Sequence, residues 1–201
     1  MLTATYTLVA LSVEQTNVKL GLQSLQKLLR TSLEKKVALS QGQVDYACDA
    51  LKRLYEICHW RKLDRFLIPA VRRATRVADQ LLHELDELSQ SAAEAMAAAL
   101  RTLAGASEDS QEWCGQFCAS VDKFCAALLK RLEREEAELF PIAQSAISGE
   151  AWFAVANQML ANDSYQLESR GWQQDFRAPR GGFRGRIDGP QHQPAPVPLA
   201  H

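Results

Sequence analysis

The stretches HWRKLDRFLIPA, residues 59–70, and RLEREEAELFPI, residues 131–142, follow one pattern. When the first is laid on the second, Pro69 falls on Pro141 and the apolar residues that precede each proline match. The residues able to do chemistry differ, since an arginine stands opposite His59. The pattern indicates a duplication in which two segments keep the same structural role.

Apolar residues recur at steps of three and four from about residue 8 to residue 160, which predicts helices rather than strands. Four long amphipathic segments are separated by SQGQ, by Pro69, which should end or kink the second, and by GASEDS. Helices with short connections bury their apolar stripes against one another, so we expect an all-α, antiparallel four-helix bundle of two duplicated helical hairpins. The later stretch EAWFAVANQML predicts a short fifth helix.

Composition predicts one domain and a tail. The chain has 201 residues, of which 47% are hydrophobic and 23% charged, as in a globular protein. The bundle should span residues 1–162, and residues 163–201, which contain Gly, Pro and Arg, should form a flexible, disordered tail. The net charge of −1, the lack of a signal or transmembrane segment and the odd number of five cysteines predict a cytoplasmic protein without membrane or nucleic-acid affinity in its bundle.

Six positions of the repeat should face the centre of the bundle at comparable depth. VEQTNV in the first helix aligns with HELDEL in the third, and the second and fourth helices each contribute two positions, four residues apart. In the second helix, the inward stripe is predicted to run through Val44, Cys48, Leu51, Tyr55, His59, Leu63 and Phe66. The six central positions are Gln15, His59, Leu63, Leu85, Arg131 and Glu135.

On these motifs the chain resembles the hemerythrin-like family, also called HHE cation-binding domains, over about residues 8–160. The most specific parts are HWRKLDRFLIPAV, KRLEREEAELFPIA and SGEAWFAV. The resemblance implies that the first and third helices each supply a His, and that the second and fourth each supply a His followed four residues later by Glu or His. Such ligands hold two irons for oxygen binding, sensing or iron handling, because imidazole and carboxylate groups suit non-haem iron.

Carried onto this chain, the resemblance implies a degenerate metal site. A leucine has no atom that binds metal, and its burial stabilises a fold by roughly 1.5–3 kcal/mol. An arginine places a fixed positive charge where cations would sit. Only two positions, His59 and Glu135, keep an expected ligand; the others are Gln15, Leu63, Leu85 and Arg131. We therefore expect a metal-free, cofactor-free and non-enzymatic binding or regulatory module of a bacterial-type cytoplasm.

A buried polar network is expected where the irons would lie. Its predicted members are Gln15, His59, Arg131 and Glu135, with the last two able to pair across one helical turn. The alternative is that Arg131 extends into solvent and pairs with acidic neighbours of the sequence EREE. Cys114, Cys118 and Cys125 are predicted to be small buried hydrophobes, and a thiol sensor is the alternative.

Two other functions stay open. The first is an iron protein for oxygen, nitric oxide or redox sensing or for iron handling, with a di-iron or reduced site built from His59, Glu135 and either Asp64 or Glu84. The second is an adaptor for nucleic acid or protein, because RGGFRGR resembles Arg-Gly-Gly segments that bind RNA. Its candidate residues are Arg177, Arg180, Arg184 and Arg186. The expected partner is an unidentified protein, and a homodimer is left open.

Overall fold

The computed structural model describes residues 2–34, 40–59, 61–105 and 112–177. Every regular element in these ranges is helical, and none of them is a strand. The predicted all-α class is therefore confirmed. None of the helices in this part of the chain is both long enough and apolar enough to span a lipid bilayer.

The chain forms long α-helices interrupted by two π-helical segments. The first π segment is Leu63–Leu67 and the second is Glu135–Leu139. They lie at matching positions of the repeat, and a seven-residue α-helix follows each of them. The α-helices are α1 (Leu2–Glu34), α2 (Gln41–His59), α3 (Ile68–Ala74), α4 (Asp79–Ala104), α5 (Glu112–Arg134), α6 (Phe140–Ala146) and α7 (Gly149–Arg177).

The prolines of the repeat explain where the π segments lie. A proline inside a helix has no N–H to donate, and its ring crowds the carbonyl four residues earlier. Just before each proline, the chain widens instead, so that the Ile68 N–H bonds to the Leu63 carbonyl oxygen, five residues back. The Phe140 N–H bonds to the Glu135 carbonyl oxygen in the same way. The helical path consequently continues past Pro69 into α3, so of the predicted end or kink the end is not found.

The four long helices α1, α2, α4 and α5 each pack against two of the others. α1 contacts α2 and α5, and α4 also contacts α2 and α5. α3 packs against α6, so the two short helices of the repeat also meet. A Cβ added at Gly21 would lie only 2.8 Å from Leu54 Cδ2, so glycine allows α1 and α2 to approach closely.

Two apolar clusters fill the interior. The first apolar cluster lies among α1, α2, α4 and α5 and is built around Phe117 and Phe124. The second apolar cluster joins the start of α1 and of α4 to both π segments, α3, α6 and α7, and it includes Trp152. Along α1, Leu11 belongs to the second cluster and Val18 to the first. A polar layer at the level of the π segments separates the two clusters.

The fifth predicted helix is longer than expected. α7 begins at Gly149 and ends at Arg177, so the first part of the predicted flexible tail, residues 163–177, is helical. These residues include no proline, and nothing in them stops a helix at Asp163. The boundary between the two units into which contacts divide the chain falls after Asp163, within α7. Residues 178–201, for which disorder was predicted, lie outside the described residues.

Candidate functional site

Glu135 lies at the centre of the polar layer, where the second π segment begins, and is completely buried. Arg61 donates two parallel hydrogen bonds to its carboxylate, from Nη1 to Oε1 at 2.9 Å and from Nη2 to Oε2 at 2.5 Å. The side-chain amide of Gln15 donates a third, to Oε2 at 2.8 Å. A buried carboxylate is costly unless it is paired and hydrogen-bonded, and these donors satisfy both oxygens.

Arg131 joins the layer from the last turn of α5. Its Nε is 3.0 Å from Glu135 Oε1, too poorly aligned for a hydrogen bond, so the contact is an ion pair. Its Nη2 donates to the carboxylate of Asp64, and its Nη1 donates to the hydroxyl of Ser89. Only 5% of Arg131 is exposed, so this side chain does not extend into solvent.

The surface ion pairs expected as an alternative for Arg131 are made by Arg134 instead. The Arg134 guanidinium pairs with Glu84 on α4 and with Glu138, 2.7 Å away, on its own helical path. Since Arg134 comes three residues after Arg131, it lies on a neighbouring, more exposed side of the helix. Glu84 is therefore engaged at the surface and does not reach the polar layer.

We call Gln15, Arg61, Asp64, Ser89, Arg131 and Glu135 the central network. Its two guanidinium and two carboxylate groups balance in charge. Burial, the largest influence, lowers the pKa of Arg61, but the charge and hydrogen bonds of Glu135 outweigh it and raise the pKa above its ordinary value. Burial raises the pKa of Asp64, because the opposing effect of Arg131 is smaller. The network is balanced in formal charge, but four of its buried polar atoms, Gln15 Oε1, Arg61 Nε, Asp64 Oδ2 and Arg131 Nε, have no hydrogen-bond partner.

His59 was predicted to belong to this network, and that prediction is wrong. It is exposed and stacks on Tyr55, with ring centroids 6.3 Å apart. Arg61 takes its place, because the buried side of α2 follows alternating steps of three and four rather than repeated steps of four. The buried residues are Val44, Ala47, Leu51, Leu54 and Cys58. Arg61 follows Cys58 after a further step of three. The heptad spacing of the buried residues could therefore have predicted that Arg61 faces the centre.

The other central positions of the repeat are buried. Gln15, Arg131 and Glu135 meet in the central network. Leu63 and Leu85 are fully buried in the second apolar cluster beside it. In an ordinary α-helix Asp64, one residue after Leu63, would point about 100° away from it. It reaches Arg131 nevertheless, from the wider turn of the first π segment.

The central network does not fit a pair of irons. The two leucines offer no donor atom, and both oxygens of Glu135 are already held by cationic or amide groups. Two buried guanidinium groups would repel added cations. Among the residues that the structure describes, no group of three or more His, Cys, Asp or Glu side chains could hold a metal ion. Of the residues expected in a reduced iron site, Glu135 and Asp64 are held by Arg61 and Arg131, and His59 is exposed.

A cleft of about 280 Å³ opens beside Arg131. Its walls combine the Tyr55–His59 stack with Cys58, Asp64 and Ser89. One carboxylate oxygen of Asp64, Oδ2, is buried and has no hydrogen-bond partner. Because this oxygen is buried, the cleft does not expose it to a ligand.

The cysteines are embedded mainly in the first apolar cluster. Burial raises the pKa of Cys58 to about 11 and that of Cys125 to about 12. Burial, reinforced by Cys114, also raises the pKa of Cys118 to about 12. Cys114 itself is half-buried. Because the thiolate is the reactive form, the buried thiols are poor nucleophiles at neutral pH.

Comparison of the chain with protein-family models, with curated proteins and with solved structures finds no match. The resemblance carried by the repeat therefore stays a prediction. Of the tail residues proposed for binding, Arg177 ends α7, and Arg180, Arg184 and Arg186 lie outside the described residues. Function has to be inferred from the central network and the cleft.

Proposed function

We propose that the chain is a hemerythrin-like four-helix bundle, formed by α1, α2, α4 and α5, in which an ion-pair network replaces the metal centre. The proposal makes it a non-enzymatic binding or regulatory module that acts on a protein partner in the cytoplasm. The ring of contacts among the four helices and the π segment in each half of the repeat support this architecture. The residues that fill its centre support the loss of metal.

The proposal rests on the observation that both carboxylate oxygens of Glu135 already accept hydrogen bonds from Arg61 and Gln15. To bind a metal, its carboxylate would have to release Arg61, which is 2% exposed, and would leave that guanidinium buried without a counter-charge. Breaking a buried pair in this way typically costs about 3–5 kcal/mol. The cation would also have to approach Arg131, which is already 3.0 Å from the same carboxylate.

The chemistry around the network suits a fixed scaffold. The hydroxyl of Ser89 accepts a hydrogen bond from Arg131, and the thiol of Cys58 has a raised pKa. Neither group is paired with a base that would make it a nucleophile in the described part of the chain. A neutral network between two apolar clusters fixes the register of the helices, which is the best-supported role of buried polar groups.

A small-ligand site in the cleft is a second candidate function. The Tyr55–His59 stack provides an aromatic wall, and Asp64, Ser89 and Arg131 line the same cleft with polar side chains. A regulatory ligand bound there would contact Arg131 through Asp64 and so act on the central network. Asp64→Asn should weaken such a ligand, whereas exchange of the exposed Glu133 for Gln should not.

Metal content tests the main proposal. Protein purified under reducing conditions and offered ferrous iron without oxygen should retain fewer than about one iron per ten chains. A matched variant places ligands at the buried central positions and removes both competing charges, with Gln15→His, Arg61→His, Leu63→Glu, Leu85→His and Arg131→His. If it keeps its helical circular dichroism, it should take up iron where the natural chain does not. About two irons per natural chain, with an ultraviolet band of an oxo-bridged pair, would overturn the proposal.

A further inference from the structure

α1 has two apolar faces, and only one of them is buried. The inner face carries residues such as Leu11 and Leu22 into the apolar clusters. Five large apolar residues on the other side are between 56% and 88% exposed, namely Leu2, Tyr6, Val9, Val13 and Leu20. At 100° per residue they fall within a sector of about 60°, on the opposite side of the helix from the core. α4 and α5 expose no large apolar residue in the described chain.

The spacing of the outer face is that of a coiled-coil seam. With Thr16 included, the positions alternate in steps of four and three from Leu2 to Leu20. This alternation is the heptad pattern by which one helix packs along another. We call Leu2, Tyr6, Val9, Val13, Thr16 and Leu20 the outer seam. Its length of 19 residues corresponds to about 28 Å of helix.

The few charged residues around the outer seam indicate which kind of partner can pack against it. The flanking positions carry small or uncharged side chains, which are Thr3, Thr5, Ala10, Ser12 and Asn17. Between residues 2 and 18 the only charged residue is Glu14, which is half-buried. The sixth flanking residue, Lys19, already pairs with Glu136 of the same chain, so a charged partner would find no unpaired charge beside the seam. An identical copy would meet no like charge, and a twofold interface places the same patch on both subunits.

We propose that two copies of this chain form a dimer by antiparallel packing of their outer seams. In this register Val9 of one copy lies against Val13 of the other, and Leu2 lies against Leu20. The first charged flanking residue, Lys19, then faces Thr3 of the other copy, whereas parallel packing would bring the two lysines to the same level. Lys19 also pairs with Glu136 of its own chain at 2.6 Å. The dimer does not depend on whether the bundle binds metal.

Sedimentation of the full chain tests the dimer. At tens of micromolar the natural chain should sediment as a dimer. Val9→Glu with Val13→Glu places four carboxylates in the interface, which should raise the dissociation constant at least about a hundredfold and give a monomer. Both positions are more than half exposed, so the variant should keep its helical circular dichroism. Val77→Glu is the matched control, because Val77 is 79% exposed outside α1 and should leave the dimer intact.

A milder variant, Val9→Ser with Val13→Ser, keeps the test decisive if the charged variant does not fold. It should raise the dissociation constant at least about tenfold by removing apolar contact. A natural chain that stays monomeric overturns the proposal. Slow alkylation of a Val9→Cys variant in such a monomer would show that another part of the same chain covers the seam. A dimer that persists unchanged in both seam variants overturns it as well.

Discussion

Arg61 and Glu135 form a bidentate ion pair, with hydrogen bonds of 2.9 and 2.5 Å, although they are far apart in sequence. The pair joins the connection after α2 to the second π segment, so it ties one half of the repeat to the other. Both residues are almost fully buried, at 2% and 0% exposure of their side chains. Neither charge can reach solvent if its partner is lost, and several predictions depend on this.

Glu135→Leu should lower the free energy of unfolding by about 3–5 kcal/mol, because it leaves Arg61 buried without a counter-charge. Arg61→Leu combined with Glu135→Leu should recover most of this loss, since Arg131 keeps Asp64 and Ser89 as partners. Urea unfolding followed by circular dichroism measures both. Glu133→Leu, on the exposed side of α5, should change stability by less than about 0.5 kcal/mol.

The alternative rescue, Arg131→Leu with Glu135→Leu, should fail. It removes the weaker ion contact and leaves Arg61 unpaired, so the double variant should be about as unstable as Glu135→Leu alone. Rescue by Arg131→Leu and not by Arg61→Leu would contradict the assignment of Arg61 as the main partner of Glu135.

Arg61→Lys should also destabilise the fold although it keeps the charge. An ammonium group is a single point of charge and does not make the two parallel hydrogen bonds of a guanidinium. Loss of one hydrogen bond to a charged group costs about 1.5–3 kcal/mol. Arg65→Lys is the control, because Arg65 is exposed and its replacement should cost little. Equal stability of the two variants in a urea titration would argue against the observed geometry.

The duplicated pattern was sufficient to predict the all-α class and the equivalence of its two halves. Pro69 and Pro141 mark matching points of the chain, and each follows a π segment in the structure. Leu63 and Leu85 were also predicted to face inward, and both are fully buried, because apolar residues at helical spacing report directly on burial. These features follow from local periodicity.

The composition of the centre could not be predicted as well. The predicted stripe of α2 takes steps of four from Leu51 to His59, which places His59 inside. The buried residues instead alternate steps of three and four up to Cys58, and a further step of three reaches Arg61. The contribution of Asp64 depends on the π segment, since the wider turn redirects its side chain. The periodicity of the sequence does not show that a wider turn would bring Asp64 to Arg131, so the contribution of Asp64 required the structure.

Glu14→Gln should stabilise the protein at neutral pH. Burial raises the pKa of Glu14, with Arg61 opposing this, and one of its carboxylate oxygens is buried without a hydrogen-bond partner. A carboxyl group with a raised folded-state pKa favours folding below its ordinary value of 4.5, and this contribution is lost as the pH rises through the folded value. The ionised group therefore opposes folding at pH 7.

Unfolding by urea at a series of pH values checks this. Glu14→Gln should exceed the natural chain in stability at pH 7, and the difference should close near pH 4. Glu133→Gln, at an exposed position, should show no such convergence. A Glu14→Gln variant that is less stable at pH 7 would mean that the backbone N–H of Lys62, 3.3 Å from the carboxylate, matters more than its burial.

The buried thiols should not react with thiol reagents in the native state. With pKa values of about 11 for Cys58 and about 12 for Cys118 and Cys125, almost none of their thiolate form is present at pH 7.5. Ellman's reagent should therefore modify Cys48 and Cys114 first, because these are only half-buried. The remaining three should react at the rate of unfolding and rapidly in denaturant. Fast reaction of Cys58 in folded protein would instead support a thiol sensor.

The two π segments also bear on how the length of this chain can vary. A π turn is an α-helix that has accepted one extra residue, so the helix on either side keeps its orientation. Deletion of the exposed Arg65 would return the first π segment to an ordinary helical turn and keep the orientation of both apolar clusters, but it would restore the crowding by Pro69 that the wide turn relieves. Deletion of Lys123 in the middle of α5 would rotate one half of that helix by about 100° against its neighbours. The loss of one codon therefore disturbs the orientation of the buried residues less at a π segment than in the middle of an α-helix.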